Sequence, residues 1–306
     1  MLKFYIKSIV GSIMFPFYLL IYTLRKQNTT RSHLSMLYAF LFSNGRILDA
    51  IAKITSILSP YKSYHGEETL SVSLDKVNVL QQLREDGYVV IPNAISENLM
   101  NDILSSLDEL PVIPRKTDDG SQFSKTYFDA QNLTSVRYDY QAADILNLKP
   151  VQDILASPTL INIAGQYLGT MPVADIVGLW WNTNYGDTPD SNAAQYFHYD
   201  LDRLKWLKVF IYLTDVGEEN GPHEFVRGSH KSGHMPLNVR QKLYTRISDK
   251  EISDTYGDQN RITMTGKKDT LIFKISDFGL SLDLDLNKKE LEEKNPPLSY
   301  REMAPE

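Results

Sequence analysis

The sequence contains no cysteine, although the chain is 306 residues long. Disulfides, thiolate metal sites and cysteine nucleophiles are therefore excluded, and no thiol reports on the redox compartment. Histidine is also scarce, with six copies and none after His234. The last part of the chain therefore contributes no imidazole to a metal site.

Positive charge is concentrated at the N-terminal end of the chain. Residues 1–62 carry eight Lys and Arg against one acid, Asp49, and so have a charge of +7, whereas the remainder has −13. An acidic body repels phosphate backbones, so no nucleic-acid partner is expected. The basic, apolar N-terminal end instead predicts a protein that is cytoplasmic or associated with a membrane surface.

A 17-residue run without a formal charge occupies residues 8–24, with Pro16 in its middle. This length is at the lower limit for a membrane span, and lysine and arginine flank the run on both sides. No small-residue cleavage site follows, so a retained helix is favoured over a removable signal peptide. The pattern leaves two interpretations open: a helix packed on the protein or a partner, or a membrane anchor or interfacial helix.

A second apolar run, at residues 34–58, is interrupted by Asn44-Gly45-Arg46. Its later half repeats isoleucine and leucine every three to four residues, which is typical of a one-sided helix. We predict four parts for the chain. They are an apolar, basic helical segment at 1–60, a linker at 61–73, a body at 74–273 and a divergent tail at 274–306.

The first half of the body has mainly helical patterns. A helix over residues 77–83 ends at Asp86-Gly87, a strand covers 88–92, and Ser96 begins a helix that continues to Leu107. A polar loop is predicted at 118–124, and helical spacing at 145–168 is broken at Pro150 and Pro158.

The second half is rich in strand patterns. Apolar runs at residues 173–181, 195–200 and 207–216, a short run at 223–226, and two runs within 261–276 predict strands, with a helix at 241–256 between them. Short strands preceded by helices indicate an α+β fold with a mostly β core. An antiparallel barrel or sandwich with helices packed outside it fits this order.

The motif with the clearest chemical meaning is His198-Tyr199-Asp200. Side chains alternate along an extended strand, so His198 and Asp200 point to one face. One imidazole and one carboxylate are two thirds of the 2-His-1-carboxylate set that non-heme iron(II) oxygenases use. The bare motif is a weak signal, because such a pair can arise by chance in a chain of this composition. The alternative is that Asp200 caps a turn and His198 is a partly buried strand residue.

The surrounding sequence resembles the phytanoyl-CoA dioxygenase family of iron(II)/2-oxoglutarate oxygenases. The resemblance rests on four stretches, DGYVVIP at 86–92, QYFHYD at 195–200, FIYLTDV at 210–216 and NGPHEFVRGSH at 220–230. It implies a double-stranded β-helix, or jelly roll, preceded by N-terminal helices. It also implies iron(II) ligated by His198 and Asp200, 2-oxoglutarate as co-substrate, and hydroxylation of a small or lipid-like substrate.

Other residues in and near these stretches are weaker candidates for the functional site. By the same resemblance His230 belongs to a structural turn. His223 and His234, on the same stretch of chain, are further candidates for the metal, although a lone loop histidine is more often a solvated surface residue. Trp180, Trp181 and Gln195 are candidates for the pocket lining, although core packing explains the tryptophans equally well.

The C-terminal tail departs from the family. The family's last strands carry a second metal-binding histidine and an arginine that binds 2-oxoglutarate, but here Gly279-Leu280 is followed by Ser281, and Arg301 is the one arginine after it. A neutral hydroxyl is a poor iron(II) ligand, so the departure predicts weak iron binding, doubtful activity and an incomplete C-terminal end of the jelly roll.

The same tail resembles a protein-kinase activation segment, since it runs from Asp277-Phe278-Gly279 to Ala304-Pro305-Glu306. A glycine-rich phosphate loop and a His-Arg-Asp catalytic loop are absent from the sequence, which excludes a working kinase. The hypothesis is therefore a foreign or frameshifted tail that joins near residue 270. Three functions stay open: an iron(II)/2-oxoglutarate dioxygenase, a non-catalytic membrane-associated protein that keeps the fold, and a fragment of a kinase-containing polypeptide.

Overall fold

The structure is a computed structural model that describes residues 6, 9–18, 30–115, 124–183, 185, 196–201, 203–241 and 246–275. Most of the predicted loop at 118–124 lies outside these residues. So do Gln195 and the tail from residue 276 onward, including Ser281 and Arg301.

Helices dominate the first half of the chain. Residues 9–18 are helical. The helices that follow are α1 (Thr30–Ser43), α2 (Arg46–Leu58), α3 (Lys76–Asp86), α4 (Glu97–Asp108), α5 (Ala142–Leu146), α6 (Lys149–Leu155), α7 (Pro158–Leu168), α8 (Leu237–Arg240) and α9 (Asp249–Tyr256).

The predicted helix boundaries in the body are confirmed by their capping residues. The Asp75 carboxylate accepts hydrogen bonds from the first turn of α3, and Gly87 ends this helix at a φ of 91° that favours glycine. Ser96 accepts from the backbone of Leu99 at the start of α4. Pro150 and Pro158 lie in the first turns of α6 and α7, where a missing N–H is tolerated.

The strands form three antiparallel groups. They are β1 (Tyr88–Ile91), β2 (Val112–Arg115), β3 (Arg137–Tyr140), β4 (Trp180–Asn182), β5 (Leu207–Ile211), β6 (His223–Val226), β7 (Arg261–Met264) and β8 (Leu271–Ile275). One sheet has the order β1-β8-β5, a second has the order β2-β3-β4, and β6 pairs with β7. The fold is therefore α+β with antiparallel sheets, as predicted.

Strand β8 has buried residues on both faces. Leu271 and Phe273 belong to the main apolar core, which also contains residues of α3 and α4. Ile272 points the other way, into a smaller cluster with Phe225 of β6. The Tyr88 ring of β1 also contacts Phe225, with centroids 5.8 Å apart. The β6–β7 pair therefore packs on the inner face of the β1-β8-β5 sheet.

The N-terminal helices pack on the body of the protein. Phe15, Phe40 and Leu48 form a second apolar core together with Phe197 and Tyr199 of the motif segment. The residues of this core are at most 6% exposed. The described part of the N-terminal segment therefore contacts the protein's own body through Phe15.

Exposed apolar side chains remain on the same helices. Ile13 is 70% exposed, Ile57 is 69% exposed and Leu58 is 80% exposed. Within the described ranges, no helix combines the length and apolar character needed to cross a bilayer.

Several predicted elements are shorter than the sequence indicated. The strand predicted at 207–216 ends at Ile211. Residues 173–181 contribute only the start of β4. Val173 and Ile176 are exposed and have no strand partner among the described residues. The segment containing His198 makes an isolated bridge from Phe197 to Ile247 instead of a regular strand. The helix predicted at 241–256 begins at Asp249, where Ser248 and Glu251 form a capping box.

Candidate metal centre

His198 and Asp200 lie on an extended segment whose side chains alternate between two environments. Phe197, Tyr199 and Leu201 pack into the core formed with the N-terminal helices. His198 and Asp200 are also buried, at 2% and 5% exposure. The alternation that the sequence predicted is therefore present, although isolated bridges such as Phe197 to Ile247 replace a regular strand.

The two candidate ligand atoms face each other. His198 Nε2 and Asp200 Oδ1 are 3.6 Å apart. Ligand atoms about 2.1 Å from a divalent metal are about 3 Å apart when their bonds are perpendicular. A shift of a few tenths of an ångström would therefore allow both atoms to bind one ion.

The other ring nitrogen of His198 fixes the orientation of the imidazole. Nδ1 lies 2.8 Å from the carbonyl oxygen of Tyr196, so the neutral ring donates from Nδ1 and presents a lone pair at Nε2. Burial lowers the pKa of His198 to about 4, although the Asp200 charge opposes this shift. The ring is therefore neutral at pH 7, which is the form that ligates metals.

The carboxylate of Asp200 has a second, distinct contact. Lys208 Nζ, on β5, donates to Asp200 Oδ2 over 2.8 Å. This charge-assisted bond leaves Oδ1 directed toward His198. The donor set of one neutral imidazole and one anchored carboxylate fits an iron(II) ion.

A further cation lies beside this pair. Lys274 of β8 is directly opposite Lys208 of β5 in the antiparallel register. The side chain of Lys274 is buried, and its Nζ has no hydrogen-bond partner among the residues that the structure describes. Burial lowers the pKa of Lys274 to about 7, and the Lys208 charge acts in the same direction.

The remaining histidine candidates do not join His198. His223 is buried with its ring centroid 4.4 Å from that of Phe210. His230 Nε2 lies 3.1 Å from the Arg84 carbonyl, which agrees with the structural role predicted for its turn. His234 is exposed. Across the described part of the chain, no group of three His, Asp or Glu side chains comes together as a metal site.

The two tryptophans have packing partners of their own. Trp181 donates to the Tyr140 hydroxyl over 2.9 Å and stacks on Phe128. The guanidinium carbon of Arg137 lies over the Trp180 ring, 4.6 Å from the ring centroid. These contacts favour the core-packing interpretation over a pocket lining.

Sequence reasoning missed both lysines of this site. Lys274 interrupts the apolar run Leu271–Ile275, in which every residue is buried. A lysine within a buried strand is a rare and costly feature, and this signal could have identified it. Lys208 had a similar position at the start of an apolar strand.

Comparison with known proteins supports the grouping suggested by these motifs. A sequence profile described as phytanoyl-CoA dioxygenase (PhyH) matches residues 83–276. This chain belongs to the phytanoyl-CoA dioxygenase family. The match includes the whole candidate site, from β1 to the end of β8. Membership of this family supports an oxygenase-like function. No curated protein shows significant similarity to the chain.

Solved structures with a related shape were also found. AviO1 from Streptomyces viridochromogenes Tue57 is 14% identical, with a TM-score of 0.38, and the alignment covers 68% of this chain and 88% of that one. SnoK, a non-heme alpha-ketoglutarate dependent carbocyclase from nogalamycin biosynthesis, is 17% identical, with a TM-score of 0.41 and coverage of 70% and 80%.

Proposed function

We propose that this protein is an iron(II)/2-oxoglutarate-dependent oxygenase with a jelly-roll core, in which His198 and Asp200 are two of the iron ligands. The observation that carries the proposal is their geometry. Both side chains are buried, their ligand atoms are 3.6 Å apart, and the Nδ1 contact of His198 presents Nε2 to the metal. Membership of the phytanoyl-CoA dioxygenase family supports the same chemistry.

Each residue has a defined task in this proposal. His198 supplies a neutral nitrogen, and the Tyr196 carbonyl keeps its ring in place. Asp200 supplies an anionic oxygen, which Lys208 holds in position through the second oxygen. Iron(II) with 2-oxoglutarate would supply the activation of dioxygen for hydroxylation of a small or lipid-like substrate.

A second candidate function is a non-catalytic protein that retains the fold. The observation that favours it is Ser281, which stands where the family has its second metal-binding histidine. That position lies outside the described residues, as does the rest of the tail that resembles a kinase segment. The kinase-fragment hypothesis has no support from the family match, which ends at residue 276.

A spectroscopic titration separates these two functions. Anaerobic addition of iron(II) and 2-oxoglutarate should give a visible charge-transfer band in the full-length protein. His198→Ala should remove the band, while the control His234→Ala, at an exposed histidine, should retain it. If neither the wild type nor His198→Ala gives the band, the result would support the non-catalytic function.

Association with a membrane surface through residues 1–60 is a further proposal. It is supported by the exposed Ile57 and Leu58 side chains on α2 and by the +7 charge of residues 1–62. An apolar face with nearby lysine and arginine favours binding to anionic lipid.

A further inference from the structure

The environment of Lys274 has an imbalance of charge. Lys274 is 1% exposed, and the charges that act on it come from Lys208 of β5 and from Asp200. The acid is already bonded to Lys208 over 2.8 Å, so it does not neutralise both lysines. Among the described residues, two lysines therefore share one carboxylate at this site.

The other contacts of Lys274 are aromatic. Its Nζ lies 5.5 Å from the Phe210 ring centroid and 6.0 Å from the Phe225 ring centroid. Cation–π contacts at this range compensate only part of the lost hydration of an ammonium group. The three N–H donors have no acceptor among the described residues. An anion bound here would supply both the missing charge and the missing acceptors.

The position of Lys274 relates it to the candidate iron ligands. It lies on the inner face of the sheet, which also carries Lys208, and Lys208 bonds directly to Asp200. A ligand that reaches Lys274 with one end can therefore have its other end near the metal pair. A short dicarboxylate has this shape.

We propose that Lys274, with Lys208 beside it, binds one carboxylate of 2-oxoglutarate and takes the role that an arginine has in related oxygenases. This inference rests on the proposed function, because the opposite end of the dicarboxylate is placed at His198 and Asp200. It assigns a ligand to a buried lysine whose Nζ has no hydrogen-bond partner among the described residues.

Calorimetric titration of 2-oxoglutarate into the manganese(II)-loaded full-length protein tests the inference without any need for turnover. Lys274→Met should weaken 2-oxoglutarate binding by roughly 30-fold or more, because a buried charge pair is lost. Manganese(II) affinity, measured separately, should change far less. The matched control is Lys267→Met, which removes a lysine whose side chain is 80% exposed. If the Met variant does not fold, Lys274→Gln provides the same loss of charge.

The possible results separate the two proposals. Unchanged 2-oxoglutarate affinity in Lys274→Met would overturn the role of Lys274 and leave the iron proposal intact. If the wild type binds no manganese(II), the proposed function fails, and metal-free thermal shifts with glutarate then decide the role of Lys274. If glutarate stabilises the wild type but not Lys274→Met, the result would support the role of Lys274. Equal thermal shifts in the two proteins would overturn that role. Glutarate lacks the keto group, so its comparison with 2-oxoglutarate separates recognition of the carboxylate from metal chelation.

Discussion

The ring of Tyr199 packs against the ring of Phe40, with centroids 5.9 Å apart. Tyr199 lies between the two candidate iron ligands, and Phe40 belongs to α1. The N-terminal helices therefore pack behind the segment that carries the candidate ligands, although the family match begins only at residue 83.

This contact predicts that a change in α1 weakens the metal site. Phe40→Ala should lower the free energy of unfolding by about 3 kcal/mol, because it leaves a cavity in a buried core. It should also reduce manganese(II) affinity, since the backing of the metal-binding segment is lost. Phe42→Ala is the matched control, because Phe42 is in the same helix and 50% exposed. Equal effects of the two substitutions on metal binding would contradict the supporting role of α1.

Lys274 should make the stability of the ligand-free protein depend on pH. Its folded pKa of about 7 is below the ordinary 10.5, so the unfolded chain binds more protons between these values and stability rises with pH across this window. Lys274→Met removes this effect. The variant should be more stable than the wild type at pH 7 by about 1–4 kcal/mol.

The advantage of Lys274→Met should shrink by roughly 2–3 kcal/mol between pH 7 and pH 9. Urea denaturation at the two pH values measures it, with Lys267→Met as the control for removal of a surface lysine. A stability advantage of Lys274→Met that stays constant with pH would show that the pKa of Lys274 is not lowered in the folded protein.

The predicted linker should contribute to stability through Glu68. Its carboxylate accepts from Ser157 Oγ over 2.6 Å and from Thr159 Oγ1 over 2.5 Å. Partial burial raises the pKa of Glu68, but these bonds and two further backbone bonds outweigh it and lower the pKa from 4.5 to about 2. The stabilisation is therefore present above pH 4.5 and is lost as the pH falls toward 2.

Glu68→Gln should lower Tm at pH 6 by about 2–4 °C, because an amide NH2 replaces one of the two accepting oxygens. The difference from wild type should decrease at pH 3. Glu67→Gln, at an exposed neighbouring residue, provides the comparison and should leave Tm unchanged. A Tm difference that is the same at both pH values would refute the assignment.

The exposed face of α2 should bind anionic membranes. Wild-type protein is expected to co-sediment with vesicles containing phosphatidylserine, and added salt should weaken the association. Replacement of Ile57 and Leu58 by serine should reduce it several-fold. Val173→Ser is the control, because Val173 is 83% exposed but belongs to the body. Recovery of the wild-type protein only in the supernatant would show that the exposed face of α2 does not bind membranes.

Local sequence signals predicted the elements that depend on local chemistry. Gly87 and Ser96 set helix ends through backbone conformation and hydrogen bonds that act within a few residues. The short strand His223–Val226 was also predicted with its observed bounds. Such features need no distant partner, so the sequence pattern is sufficient.

Features that depend on distant partners were not predictable in the same way. The apolar run at 173–181 lacks a neighbouring strand over most of its length, and apolar composition alone did not reveal this. The pairing of Lys208 with Lys274 arises only when β5 and β8 are adjacent in one sheet. His198 and Asp200 were found because their spacing of two residues is itself the relevant geometry.

Manganese(II) binding is the most direct measurement of the central claim that His198 and Asp200 hold a metal. Electron paramagnetic resonance of the full-length protein should show one bound ion, and His198→Ala or Asp200→Asn should weaken its affinity by at least about 100-fold. His234→Ala should bind as the wild type does. Manganese(II) affinity that is the same in the wild type and in both ligand variants would contradict the claim.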